Sequence, residues 1–192
     1  MPPKVKFTKQ QIIDTAFLMV KTEGADALTA RNLGKKLGCS SAPIFTAFEN
    51  MEEVQIEVAK KALALYGEYI KEGLQDTIPF KGTGLAYVRY AIDHPLLFRF
   101  VFMSKGSGET THYLPAEDDN EPEILSTIMR SHQISKEDAR RLYNHLSIYT
   151  HGLAVLFAQG NVTFTFEDAD RMLSEMFYSV IKEITGKPFK KQ

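Results

Sequence analysis

Within this 192-residue chain, residues 29–48 carry the residue types and spacing most suited to chemistry. Thr29 can cap a short helix from Ala30 to Leu37 that buries Leu33 and Leu37, and Gly38 supplies the left-handed residue that a sharp turn needs. Ser40 then opens a further helix over about 41–47, with Pro43 in its first turn, where a missing N–H costs nothing. On that helix Ile44 and Phe48 pack inward, while Ser41, Ala42, Phe45 and Thr46 face out. Gly34 lets the two helices approach closely. This is the helix-turn-helix plan, whose second helix enters a DNA major groove about 12 Å wide. Ser40 and the free amides at that helix's start can hold a backbone phosphate. An ordinary helical hairpin has the same spacing, so spacing alone leaves both readings open.

Other chemistries find no such support. The histidines at 94, 112, 132, 145 and 151 form no HExxH motif, and His145 and His151, six apart, do not share a helix face closely enough to chelate a metal. Cys39 sits in the tight turn with no nearby His and reads as a small buried apolar residue. P-loop, dinucleotide fingerprint and nucleophile elbow are all missing from the sequence. The acidic run at 117–123 lacks the glycine and spacing of an EF-hand and reads as a solvated loop with a part in gating pocket access. The expectation is a protein that is not an enzyme and holds no metal or cofactor. A binding site for an apolar small molecule is the better prospect. Tyr66, Tyr87, Tyr90, Phe98, Phe102, Met129 and Tyr149 mix apolar bodies with polar tips in the middle helices, where bundles form pockets. Arg89 or Arg99 can meet a ligand carboxylate, although a surface arginine or an ion pair with Asp93 is the simpler expectation.

The elements that position these residues read as helix throughout. The periodicity predicts an all-α fold of about nine helices, the only alternating stretch, Val162 to Phe166, being too short to make a sheet. Thr8 with Gln11 starts the first helix and Gly24 stops it; Asn50 with Glu53 starts a long fourth helix expected to end near Thr77 to Pro79. Gly82 and Gly84 flank the start of a fifth, which Pro95 ends, and Ser135 with Asp138 starts a long helix to about Gln159 before a last one over 167–184. Two domains are expected: 1–50, a three-helix DNA-binding head, and 51–192, a helical body. Net charge is −1, but residues 1–50 carry seven basic against four acidic side chains, a surplus of three that leaves −4 on the rest. One Cys closes no intrachain bridge, which fits a reducing cytoplasm, and neither a signal peptide nor a membrane span is legible.

The string from Leu28 to Val54, with Ala16, Val20 and Gly24 before it, resembles the DNA-binding signature of TetR-family transcriptional regulators. In the body, Gly84 to Arg99 and His151-Gly152-Leu153-Ala154 resemble the WHG type of TetR C-terminal domain, without its tryptophan. The resemblance implies a ligand-responsive regulator, a repressor that binds a pseudo-palindromic operator as a homodimer and is released by a largely apolar effector. It implies DNA contacts from Lys6, Lys9, Thr29 and Arg31, with Lys35 or Lys36, and from Ser40, Ser41, Ala42, Phe45, Thr46 and Asn50. Phe45, Ala47 and Met51 replace the family's usual Tyr, His and Lys, and each replacement removes a donor or a charge aimed at phosphate. A small-molecule-binding protein of the same fold with weakened or lost DNA binding is the alternative. The family's dimer forms through its last two helices. The excess of apolar residues from Leu146 to Phe157 agrees, with Leu146, Leu153, Phe157, Met176, Phe177 and Val180 as the expected interface; a wholly internal helix in a large monomer core is the alternative.

Overall fold

The structure is a computed structural model and describes residues 7–76, 78–103 and 121–186. Lys6, His112 and most of the acidic run at 117–123 therefore lie outside the described residues. Nine α-helices and one short 3-10 turn, with no strand, account for the regular structure among the described residues. None of these helices is long and apolar enough to cross a membrane.

Helix α1 (Lys9–Glu23) begins with a reciprocal box: Gln11 N–H donates to Thr8 Oγ1 at 3.1 Å, and Thr8 N–H to Gln11 Oε1 at 2.9 Å. Helix α2 (Ala30–Leu37) is capped by Thr29, whose side chain accepts from Asn32 N–H, and ends at Gly38 with φ 71° and ψ 29°. Glycine adopts that left-handed backbone without the steric cost a Cβ brings. Helix α3 (Ala42–Ala47) follows. Its N-cap is Ser41, not Ser40, and the Ser41 hydroxyl makes no capping bond, because the residue is itself helical at φ −70°, ψ −14°. Helix α4 (Met51–Gly73) starts where Glu53 N–H donates to Asn50 Oδ1 at 2.9 Å; Glu53 reaches back to the amide of Glu49, at 2.8 Å.

Helix α4 stops at Gly73, short of the expected Thr77 to Pro79, and the reason is tertiary. Helix α5 (Pro79–Asp93) starts on Pro79 and carries Gly82 inside it, and a Cβ built on Gly82 would collide with the Gly73 carbonyl oxygen. Backbone meets backbone there, so these glycines are contact residues and Gly82 is not a start signal. Helix α6 (Pro95–Phe102) follows Pro95 as expected. Helix α7 (Glu121–His132) takes Glu121 and Glu123, read from sequence as loop, into its first turn, where the helix dipole favours them; Glu121 also pairs with Arg140 at 2.8 Å. Helices α8 (Lys136–Gln159) and α9 (Phe166–Thr185) are capped by Ser135 and Thr165 and closed by left-handed Gly160 and Gly186.

By contact the described chain divides into two units, residues 7–65 with 96–103 and residues 66–95 with 121–186. The first unit buries Ile12, Ala16, Val20, Leu33, Ile44 and Val58 completely. The second centres on Ile128, Leu142 and Ile181, packed between α7, α8 and α9. Burying each such Val, Leu or Ile side chain contributes about 1.5–3 kcal/mol, which is what holds these capped helices together.

Candidate functional site

Two places in the chain have the geometry to bind something. In the first unit, α2 and α3 meet across the tight turn at 38–41. Cys39 N–H donates to Gly34 O at 2.9 Å, and a Cβ on Gly34 would sit 3.0 Å from Cys39 O, so the turn folds back against the glycine. Ile44 and Phe48 are buried beneath α3, whereas Ala42, Thr46 and Phe45, the last 48% exposed, face solvent. Ser41 is half-buried and Ser40 exposed. Arg31 and Asn50 are also exposed, and Thr29 is held as the α2 cap.

Two of the five described cations within residues 7–50 are committed to carboxylates. Lys9 pairs with Glu53 at 3.2 Å and stands 4.9 Å over the Phe48 ring, and Lys36 pairs with Glu23 at 2.7 Å. The Glu49 amide and then Lys9 hold the Glu53 carboxyl below its ordinary range. Lys61 and then Gln10 do the same for Asp14. Arg31, Lys35 and Lys21 are exposed and join no ion pair among the described residues.

In the second unit a cavity of about 380 Å³ opens among α4, α5, α7, α8 and α9. That is a ligand-sized space. Tyr66 and Tyr87 form one wall, their rings edge to face at 5.6 Å. The Tyr87 hydroxyl lies 2.9 Å from His151 Nδ1, and burial holds the His151 imidazole below its ordinary pKa, the state that accepts this bond. Opposite stand Ile128, Tyr143, Leu146 and Phe177. His132 lies against Phe177, ring centroids 5.2 Å apart, and burial depresses its pKa as well. Lys81 at the wall is ion-paired with Asp170.

Of the seven residues expected to meet a ligand, Tyr66 and Tyr87 line this cavity. Tyr90 lies behind them, fully buried, its ring 5.6 Å from Tyr66 and 5.5 Å from Tyr69; burial drives its phenol pKa far up. Met129 packs against the α7–α8–α9 core, and Tyr149 is half-buried on α8 away from the cavity lining. Phe98 and Phe102 stack on each other at 5.0 Å in the first unit. Arg89 makes no pair with Asp93: it lies over the Phe166 ring at 4.6 Å, while Asp93 accepts the Tyr69 hydroxyl at 2.9 Å. No group of side chains among the described residues can hold a metal ion.

Among the residues expected at a dimer interface, Leu146, Leu153 and Val180 are buried within the single chain. Leu146 and Phe177 line the cavity, Met176 packs on the core, and Phe157 stands edge to face with Phe164 at 5.1 Å. The exposed apolar stripe on α8 is instead Ile148, 72% exposed, and Leu156, 41%, with Gly152 between them. Sequence reasoning also missed the hydroxyls of Thr83, Thr127, Ser147 and Thr150 in the cavity wall. Each shares a helix face with apolar residues three or four positions away, a pattern that a hydroxyl bonded to its own backbone shows as well.

A family model described as the tetracyclin repressor-like C-terminal domain matches residues 80–180, more than half of the chain and most of the second unit. The chain belongs to the TetR family. The match spans both body segments on which the resemblance rested. This TetR-family chain also shares its fold with ActR from Streptomyces coelicolor. The apo ActR crystal structure superposes with a TM-score of 0.55 at 15% identity, over 96% of this chain and 99% of that one. ActR in complex with (S)-DNPA gives 0.54 at 15% identity, over 93% and 99%. No curated protein matches the sequence.

Proposed function

We propose that this TetR-family chain is a repressor that binds a pseudo-palindromic operator as a homodimer through α3 and is released when a small molecule fills the cavity of its second unit. The observation that carries the reading is the pairing, in one chain, of a solvent-facing helix over a closed head core with an apolar cavity of about 380 Å³. On α3, Ala42 and Phe45 offer apolar contact to thymine methyls and Thr46 a hydroxyl to a base edge. Arg31 and Lys35 supply phosphate contacts, and Thr29, Ser40, Ser41 and Asn50 flank them. Lys9 must leave Glu53 to join them.

The dimer face is the stripe of Ile148, Gly152 and Leu156 on α8. Large apolar side chains exposed in a row need a partner, and a two-fold partner is mirrored in a two-fold DNA site. Helix α4 is continuous from Met51 to Gly73, so it carries residues of both units and is the element through which an occupied cavity can bias the heads. ActR, alike in fold, is known with a small molecule bound, which supports a ligand for this cavity too.

Selection of random duplexes on the purified chain tests the proposal. An imperfect palindrome is the expected product; a pool without enrichment even at low salt contradicts it. That second result would favour a small-molecule-binding protein without DNA activity, a reading to which the committed Lys9 and Lys36 and the donorless Phe45, Ala47 and Met51 lend weight.

A further inference from the structure

Hydroxyls in helices are ordinarily turned back onto the preceding turn. Thr83 does this here, donating to Phe80 O at 2.9 Å, and so does Ser174, to Asp170 O at 2.9 Å. Four other cavity hydroxyls do not. Ser131 stands exposed at the rim, Thr127 and Ser147 are half-buried, and Thr150 is only 7% exposed. None of the four has a hydrogen-bond partner among the described residues. None of these four oxygens is sealed from solvent, so each opens onto the cavity, where a ligand can complete its hydrogen bonding. The cavity's charge is answered already: Lys81 is the only lysine, arginine or carboxylate among the lining residues, and Asp170 pairs with it, while burial disfavours the charged form of His132. A ligand carboxylate would enter without a counter-charge, at a heavy desolvation cost.

We propose that the effector is an uncharged molecule with a ring-bearing apolar body and several hydroxyl or carbonyl oxygens, read by the hydroxyl line Ser131, Thr127, Ser147 and Thr150. Burial rises from exposed Ser131 through half-buried Thr127 and Ser147 to Thr150, the most buried of the four. Tyr66 and Tyr87 offer ring surface, the Tyr87 hydroxyl being engaged with His151. This rests on reading the second unit as the effector-binding body, and it adds the ligand's chemical class and polarity.

The test is calorimetric titration of the full chain, without DNA, at pH 7.5. The probes are hydroxyflavanone, hydroxyanthraquinone and testosterone, each beside the same skeleton carrying a carboxylate in place of the hydroxyl. At least one neutral member is expected to bind at least about tenfold tighter than its carboxylate partner, a difference of about 1.4 kcal/mol. Thr150→Val is then expected to weaken that member about three- to tenfold, the worth of one hydrogen bond. The unliganded melting temperature should hold or rise, because the lost hydroxyl has no partner in the fold. Should Thr150→Val not fold, Ser147→Ala carries the same readout. Equal or tighter binding of the carboxylates, no binding by any neutral member, or unchanged affinity in the variants overturns the proposal. If the probes behave as expected while duplex selection fails, the ligand class stands and the regulator reading falls; the converse pattern does the opposite.

Discussion

Single residues set the strength of the head. Met51, at the first position of α4, stands where the family usually offers a lysine, and Glu52 and Glu53 follow it. Met51→Lys is expected to tighten binding to every duplex alike and to steepen the salt dependence by about one unit, read by anisotropy titration at several salt concentrations. A gain confined to one sequence would mean that the side chain reaches a base edge. Residue chemistry also sets a pH dependence. Burial holds His132 and His151 below their ordinary value of 6.5, so the unfolded chain takes up these protons first as pH falls. Stability is therefore full above about pH 6.5 and declines as the pH drops through the depressed folded-state values. Melting temperatures between pH 7.5 and 5.5 should show the decline, and His132→Asn with His151→Gln should flatten it. At this scale the sequence was least informative about the cavity. Thr150 and Ser147 interrupt apolar faces, but a helix hydroxyl bonded to its own backbone gives the same pattern, and only the packing of several helices reveals which is which.

Helix starts and stops were legible because they are local. Thr8, Thr29, Asn50 and Ser135 satisfy amides within three residues of themselves, and Gly38 and Gly160 close helices at positive φ. The end of α4 was not, because Gly73 stops the helix against Gly82, nine residues away, and no local signal reports that contact. Gly82→Ala tests the close approach. An exposed helical glycine changed to alanine gains up to about 1 kcal/mol, but here a methyl must displace the Gly73 carbonyl, and a net loss of about 1–3 kcal/mol is expected in urea unfolding. A net gain would show that the α4–α5 connection yields. The α8 stripe belongs to this scale as well. The excess of apolar residues between Leu146 and Phe157 was plain in the sequence, yet which of them face inward depends on how α5 and α9 flank the helix. Ile148→Glu is expected to leave the fold intact, since the side chain is exposed, and to convert the proposed dimer to monomer in sedimentation velocity. An unchanged dimer would place the interface elsewhere.

For the whole molecule, the near-neutral net charge of −1 divides between a slightly basic head and an acidic body, and the structure sharpens what that means. Lys9, Lys36 and Lys61 of the first unit are each paired with a carboxylate, leaving Arg31, Lys35 and Lys21 as its exposed unpaired cations among the described residues. Few counterions are released when so few charges meet phosphate, and each contact contributes about 0.9 to the salt slope. The most direct measurement is an anisotropy titration of the purified chain against the duplex recovered by selection and against a scrambled duplex of equal length, from about 50 to 200 mM salt. The expected result is saturation at two chains per selected duplex, at least about a thousandfold tighter than the scrambled one, with a shallow negative salt slope. Equal affinity for the two duplexes, or no binding to either at low salt, would contradict a DNA-reading role for this chain.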